Sequence, residues 1–357
     1  MRISKKLPRG GFGPRQVSRW ALALAALAGS VLAGLMPGSA ARAADKPVLT
    51  VYTTDSFASK WGPGPQVKAA FEKDCGCTLN FVALDDGGAL LSRLQLEGTG
   101  TKADIVLGLD SSQMVEAAKT DLFQRSAVDL SKLALPNPWT DKTFVPFDYG
   151  WFAVIYDSKT LAHPPTSLKD LVEGKGEGKI LIEDPRTSTP GLGFLLWMKA
   201  VYGDKAEAAW RQLAPRVLTV SKSWTESYGL FTKGEAPMVL SYTTSPAYHI
   251  AEEHETRYKA ARFAEGQYAQ VEVAAELKSS HAPALADAFM AFMVSPAFQK
   301  LIPEGNWMYP VVKLPGGLPA SFNDLVQPTR SLFLDPTEVA AKRRAWIAEW
   351  ERGESGR

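Results

Sequence analysis

Cysteine and histidine are both scarce in this 357-residue chain, which has 2 of the first and 4 of the second. Cys75 and Cys77 stand one residue apart. A bond between them would close almost no loop and stabilise little, and two thiols cannot complete a zinc site alone. His163, His249, His254 and His281 are scattered along the chain. Tyr258 stands where a metalloprotease helix starting at His254 and Glu255 would need its second histidine. Nucleophile-elbow and phosphate-loop motifs are missing as well. Asp184, Ser188 and His249 are the set from which a hydrolytic triad could be drawn, but neither their order nor their flanks favour it. These absences argue against an enzyme and against a resident metal or cofactor. An exported hydrolase is kept as the alternative from another functional class.

Long apolar runs are also lacking beyond the first segment. Arg2, Lys5, Lys6, Arg9, Arg15 and Arg19 precede the apolar stretch from Ala21 to Leu35, and Ala41 and Ala43 frame a small-residue cleavage site. The apolar stretch is shorter than the roughly 20 residues a membrane span requires. With no paired arginines and no cysteine near Ala43, residues 1–43 are expected to be a Sec-type signal that delivers a soluble product to the periplasm. The signal carries seven Lys and Arg and no acid, which leaves the mature chain 33 basic and 38 acidic residues, a net charge of −5. A basic nucleic-acid footprint is therefore absent.

What is present is an alternation of short strands and helices. Strands are predicted over residues 48–53, 79–84 and 103–108, and helices over 66–73, 90–96 and 111–120. This βαβαβα order implies a parallel sheet with helices on its faces. The aromatic segment 144–156 is expected to cross into a second α/β lobe, and 268–275 to return. The resulting assignment is a first lobe over 44–148, completed by about 275–357, and a second over 149–274. The helices at 283–293, 296–301 and 337–350 are expected to finish the first lobe.

The most informative stretch runs from Ile180 to Gly193. An apolar strand, Ile180 to Ile182, leads into the hydroxyl residues Thr187, Ser188 and Thr189, then Pro190 and a dense apolar helix. Hydroxyl caps and an early proline mark a helix start, and the free N–H groups there suit an anionic or acceptor group. Three other loops combine aromatics with polar residues: Trp224 after a strand, Tyr242 to Tyr248, and Trp307 beside Asn306. Aromatic faces with a nearby carboxylate, Asp86 in the other lobe, favour a flat cationic ligand.

The segments KPVLTVYTTDSFASKWGPGP, KADIVLGLD, TFVPFDYG, DPRTSTPGLG, YGLF, LSYTTSPAYHI, QVEVAAE, MVSPAFQ and GNWMYP resemble the periplasmic thiamine-binding proteins of bacterial thiamine ABC importers. The resemblance covers essentially the whole chain after the signal. It implies a bilobal type II periplasmic binding protein fold, two α/β lobes with a hinge and a central cleft. It further implies capture of thiamine, and of its mono- and diphosphates, for delivery to a membrane permease. Carried over by position, the ligand contacts are Asp86, Gly87, Ser188, Thr189, Trp224, Tyr242, Thr243, Thr244, Ser245, Tyr248 and Trp307. Thr54 stands where relatives often have tyrosine, which weakens one face of the implied aromatic box. A ferric-ion or polyamine receptor is the runner-up. The ferric proteins with a similar turn use adjacent tyrosines, and this chain has no such pair.

Overall fold

A computed structural model describes residues 46–174 and 178–355; the expected signal segment and its cleavage site lie outside them. The chain enters on β1 (Val48–Thr54), passes through α1 (Asp55–Ala58) and α2 (Gly64–Cys75), and continues to β2 (Thr78–Leu84). Cys75 and Cys77 are disulfide-bonded at the end of α2, with Cα atoms 5.2 Å apart. Next come α3 (Gly87–Glu97), β3 (Ile105–Asp110) and α4 (Met114–Ala118). β1 is parallel to both β2 and β3. Because strand side chains alternate, Leu49 and Val51 join Val67 and Phe71 of α2 on one face, while Tyr52 joins Leu90, Leu91 and Leu94 of α3 on the other. The sheet is thus covered on both sides, as a parallel sheet requires.

β4 (Val145–Asp157) then does double duty. Its first part, to Trp151, pairs with β9 (Gln267–Glu276), and its last part, from Phe152, pairs with β7 (Met238–Tyr242). β9 in turn pairs with β3. The hydrogen-bonded order is β2-β1-β3-β9-β4-β7-β5-β6, with β5 at Ile180–Glu183 and β6 at Val217–Ser221. β4 and β9 occupy the segments read from the sequence as the long apolar strands 144–156 and 268–275.

The second half is built on α5 (Leu168–Glu173), α6 (Thr189–Tyr202), α7 (Ala206–Leu213), α8 (Trp224–Thr232) and α9 (Pro246–Glu252). α6 is buried at every position from Thr189 to Lys199, which explains its almost unbroken apolar composition. Trp197 satisfies its indole by donating to the Gly266 carbonyl at 3.1 Å. The short β8 (Tyr258–Ala260) pairs with β4. After β9, α10 (Pro283–Met293) returns to the first half, where Phe289, Met290 and Met293 fill the core beside Phe71. The expected helix at 296–301 is two short ones, α11 (Pro296–Gln299) and α12 (Ile302–Gly305), followed by β10 (Tyr309–Pro310) and β11 (Ser331–Leu332).

The final helix, α13 (Pro336–Glu354), departs from expectation. Val339, Trp346 and Trp350 pack into the core of the second half, with α6 and α7, rather than finishing the first. Lys199 on α6 fixes this docking: its side chain lies 5.4 Å over the Trp346 ring and pairs with Glu349 at 2.8 Å. The periodicity of 337–350 marks an amphipathic helix but carries no information about which core receives it.

α6 packs on β4 through a glycine. A methyl at Gly193 would lie 2.0 Å from Cε2 of the buried Phe152 ring. Gly193→Ala should therefore lower stability by about 1–3 kcal/mol, read as a fall in thermal midpoint. Phe152→Leu in the same chain should recover part of the loss, since the two changes share one contact.

Candidate functional site

A cavity of about 350 Å³ lies between the two halves. Its walls come from the loops that follow β1, β2, β6 and β7, from the start of α6, and from the turn between α12 and β10. Loops beyond the carboxyl ends of parallel strands are where α/β folds collect ligand contacts. Each loop is shaped by local chemistry. Thr54 caps α1, Ser188 caps α6 and Ser223 caps α8, each accepting from a backbone N–H in the first turn.

Asp86 is the meeting point of the two halves. It caps α3, and Oδ1 accepts from Gly87 N at 2.8 Å and from Thr189 N at 3.2 Å. Oδ2 accepts from Ser188 Oγ at 2.9 Å and Trp224 N at 3.3 Å. The N-termini of α3, α6 and α8 therefore converge on one buried carboxylate, each presenting the positive end of its dipole. Burial pushes the Asp86 pKa up, and these four donors pull against that rise. Close approach depends on two glycines. A Cβ at Gly87 would lie 2.3 Å from Thr189 Oγ1, and one at Gly88 would lie 2.5 Å from the Thr187 carbonyl oxygen. Two more contacts span the cavity mouth: Thr225 Oγ1 donates to Asp55 Oδ1 at 2.9 Å, and Lys222 pairs with Asp85 at 2.9 Å.

The aromatic lining is fixed from behind. Trp224 stacks on Tyr228 at 5.0 Å, and its indole donates to Ser241 Oγ at 2.7 Å. Tyr228 reaches the buried His249, whose other ring nitrogen meets Glu253 at 2.7 Å. Tyr248 meets Trp307 edge-on at 5.4 Å. Trp307 holds φ at +55°, a conformation that is uncommon for a bulky side chain; strain of this kind concentrates at ligand sites.

Charge on the lining is one-sided. Asp55, Asp85, Asp86, Glu253 and Glu272 face the cavity, and no Lys, Arg or His does so among the described residues. Lys222 pairs with Asp85 from outside the lining. Burial raises the pKa of Asp55, and the neighbouring Asp86 and Asp85 raise it further. Such a lining favours a cation, and its aromatic faces favour a flat one.

Six of the eleven expected ligand contacts line this cavity: Asp86, Trp224, Tyr242, Ser245, Tyr248 and Trp307. Gly87, Ser188 and Thr189 stand behind it as the cradle of Asp86, and Thr189 Oγ1 is buried without a partner. Thr243 and Thr244 are fully buried; Thr243 N donates to the Trp151 carbonyl, and Thr244 Oγ1 lies 3.8 Å from Met308 Sδ. Thr54 lines the cavity but is engaged as a cap. The hydrolytic alternative finds no geometry: Asp184 pairs with Arg186, Ser188 donates to Asp86, and His249 sits with Tyr228 and Glu253. No cluster of three metal-ligating side chains occurs among the described residues.

Several lining residues escaped the sequence reading. Trp61, 45% exposed, faces Trp224 at 6.1 Å from the opposite half; its setting among Gly62, Pro63, Gly64 and Pro65 was the available signal. Glu272 was hidden inside a segment that read as an ordinary strand.

Asp86→Asn would replace one accepting oxygen by an amide that points a donor at donors. The ligand-free protein should lose about 1–3 kcal/mol, as for a buried hydrogen-bonded charge, and its radius of gyration by solution scattering should grow. An unchanged melting curve and scattering profile would mean that the cradle does not hold the halves together.

Comparison with known proteins accords with this geometry. Residues 66–310 match the family described as bacterial extracellular solute-binding protein. The chain is 58% identical over 310 residues to the thiamine-binding periplasmic protein of Escherichia coli strain K12, covering 87% of this chain and 94% of that one. It is 45% identical to the thiamine-binding periplasmic protein of Haemophilus influenzae, covering 88% and 94%. A solved periplasmic thiamin binding protein superposes with a TM-score of 0.85 at 58% identity, covering 87% and 96%. The ferric binding protein from Campylobacter jejuni superposes at 0.71 with 19% identity, covering 85% and 99%; that likeness is one of fold alone. The fold is the bilobal type II periplasmic binding fold expected from the sequence, and the chain belongs to the bacterial extracellular solute-binding protein family.

Proposed function

We propose that this protein binds thiamine in the cavity between its two halves and delivers it to an ABC importer from the periplasm. It is a transport component, not an enzyme. The observation that carries this reading is the lining itself: five acids, three tryptophans and three tyrosines with no basic side chain among the described residues. Thiamine has a permanently cationic thiazolium ring, an aminopyrimidine that donates hydrogen bonds, and a hydroxyethyl arm. Aromatic faces attract the cationic ring, and acids accept from the amine. Relatives at 58% and 45% identity carry thiamine in their names.

Three finer points belong to the same proposal. Residues 44–148, completed by about 275–357 apart from α13, and residues 149–274 act as lobes that rotate about β4 and β9, with α13 travelling with the second. Trp224, Tyr242, Tyr248 and Trp307 contact the ligand rings, and Ser245 contacts its polar edge. The mono- and diphosphate are further ligands, whose phosphate competes with Asp86 for the N–H groups at Gly87, Thr189 and Trp224 and for the Ser188 hydroxyl.

Titration of intrinsic fluorescence with thiamine, thiamine diphosphate, spermidine and Fe³⁺ tests the reading. Thiamine should quench Trp224 and Trp307, and at a hundredfold excess over its dissociation constant should stabilise the fold by about 2.7 kcal/mol. Binding of spermidine or Fe³⁺ with no response to thiamine would overturn it.

The phosphate point has its own test. In a chain with Ser188→Ala and Thr189→Ala, thiamine monophosphate should lose about 1.5 kcal/mol or more beyond the loss for thiamine, the scale of a hydrogen bond to a charged group. Backbone donors survive the change, so some phosphate binding should remain. Equal calorimetric losses for the two ligands would reduce these residues to a helix cap.

A further inference from the structure

Glu272 stands in the middle of a row of acids. Its register partner in β4 is Asp148 and its register partner in β3 is Asp110, so carboxyl side chains occupy one level of three adjacent strands. Like charges directly opposite one another destabilise a sheet. Asp110 is relieved locally: its Oδ1 accepts from Ser112 N, Ser112 Oγ and Gln113 N, and Arg343 adds positive charge. The other two share a single donor. Asn306 Nδ2 reaches Asp148 Oδ2 at 2.6 Å and Glu272 Oε2 at 3.3 Å. Asp148 is 0% exposed, and its Oδ1 is buried without a partner. Glu272 is half-buried and lines the cavity.

Among the described residues, the groups facing Glu272 supply no positive charge. They are Asp148 from β4, Asp110 from β3, Asp86 ahead of α3, the Tyr242 phenol from β7 and the neutral Asn306 amide. From α10, Asp287 faces Glu276 at the far end of β9 instead. Two ionised carboxyls meeting at one amide, with no cation beside them, cannot both be accommodated.

We propose that Asp148 and Glu272 are the cavity's cation-recognition site: ligand-free they hold one proton between them, and they release it to solvent when a cationic, amine-bearing ring seats over Glu272. The ligand's charge then replaces the proton as counter-charge, and both carboxyls are ionised in the complex. This rests on the thiamine reading and deepens it by naming the acids that sense the cation. Burial pushes Asp148 up to about 7 and drives Glu272, which also feels Asp148, well above the carboxylate range. The pair titrates as a unit.

Calorimetric titration with thiamine at neutral pH, in two buffers of different ionisation heat, counts the proton. Heats should differ between buffers by an amount that corresponds to release of up to about one proton per ligand. Affinity should rise with pH between about 6 and 8. Glu272→Gln should bind about 10- to 100-fold more weakly and release no proton, and Asp148→Asn should also release none.

The ligand-free protein provides an independent measure. Both carboxyls are raised in the folded state, so their contribution to stability is fully present below the ordinary carboxylate range, near 4; that of Asp148 is lost as pH rises through about 7, and that of Glu272 as pH rises through its own raised value. The thermal midpoint should therefore be higher at about pH 5 than at about pH 8, and Glu272→Gln should flatten that slope. Thiamine bound with buffer-independent heat, native affinity in Glu272→Gln, or an unchanged slope in that variant would each overturn the proposal. A flat response to thiamine in every buffer would instead fail the thiamine reading and the recognition step built on it, while the ligand-free slope still decides whether the pair holds a proton.

Discussion

One carboxylate gathers the ends of three helices. Asp86 takes two donors on each oxygen, from α3, from the start of α6 and from the start of α8. Those helices belong to different halves of the molecule, so the geometry of the cavity depends on this contact. The arrangement needs Gly87 and Gly88, because a side chain at either would collide with α6 or the turn ahead of it. It also needs Ser188 to serve two partners, accepting from the first turn of its own helix while donating to Asp86. A neutral residue at position 86 would leave three sets of helix-terminal N–H groups facing a buried space without an anion.

Support for the site comes from the two strands that cross between halves. β4 and β9 place Asp148 and Glu272 side by side just after a register shift, ahead of Phe152, where β4 changes partner from β9 to β7. The cradle and the acid pair differ in how their charge is met. Asp86 is answered by four donors, whereas Asp148 and Glu272 have one amide between them. Uncompensated acids at the edge of a cavity are costly to folding, and cost of this kind is a common mark of function.

Much of this was legible in the chain because it rests on local chemistry. The cap at Ser188, the early Pro190 and the buried helix after them follow from residue types within a few positions of one another. The strands β4 and β9 were legible from length and apolar content. Asp86 was found, but as a free acceptor for a ligand, since nothing local reveals that distant N–H groups already occupy its oxygens. Asp148 and Glu272 lay in the motifs TFVPFDYG and QVEVAAE without attracting notice; their meaning depends on register between strands 124 residues apart in sequence. The docking of α13 was misplaced for a similar reason, because an amphipathic face specifies burial but not its partner.

These two features differ in charge balance. At the cradle, the Asp86 carboxylate is satisfied by helix-terminal N–H groups and the Ser188 hydroxyl. Near β4 and β9 the acids are under-satisfied and the Tyr242 ring stands close by, which suits a positive group. The site thus holds two kinds of acid, one already answered by helix-terminal N–H groups and a pair that is not, so a positive charge is worth most beside the second. Trp61 and Trp224, with ring centres 6.1 Å apart, add aromatic faces to the cavity lining.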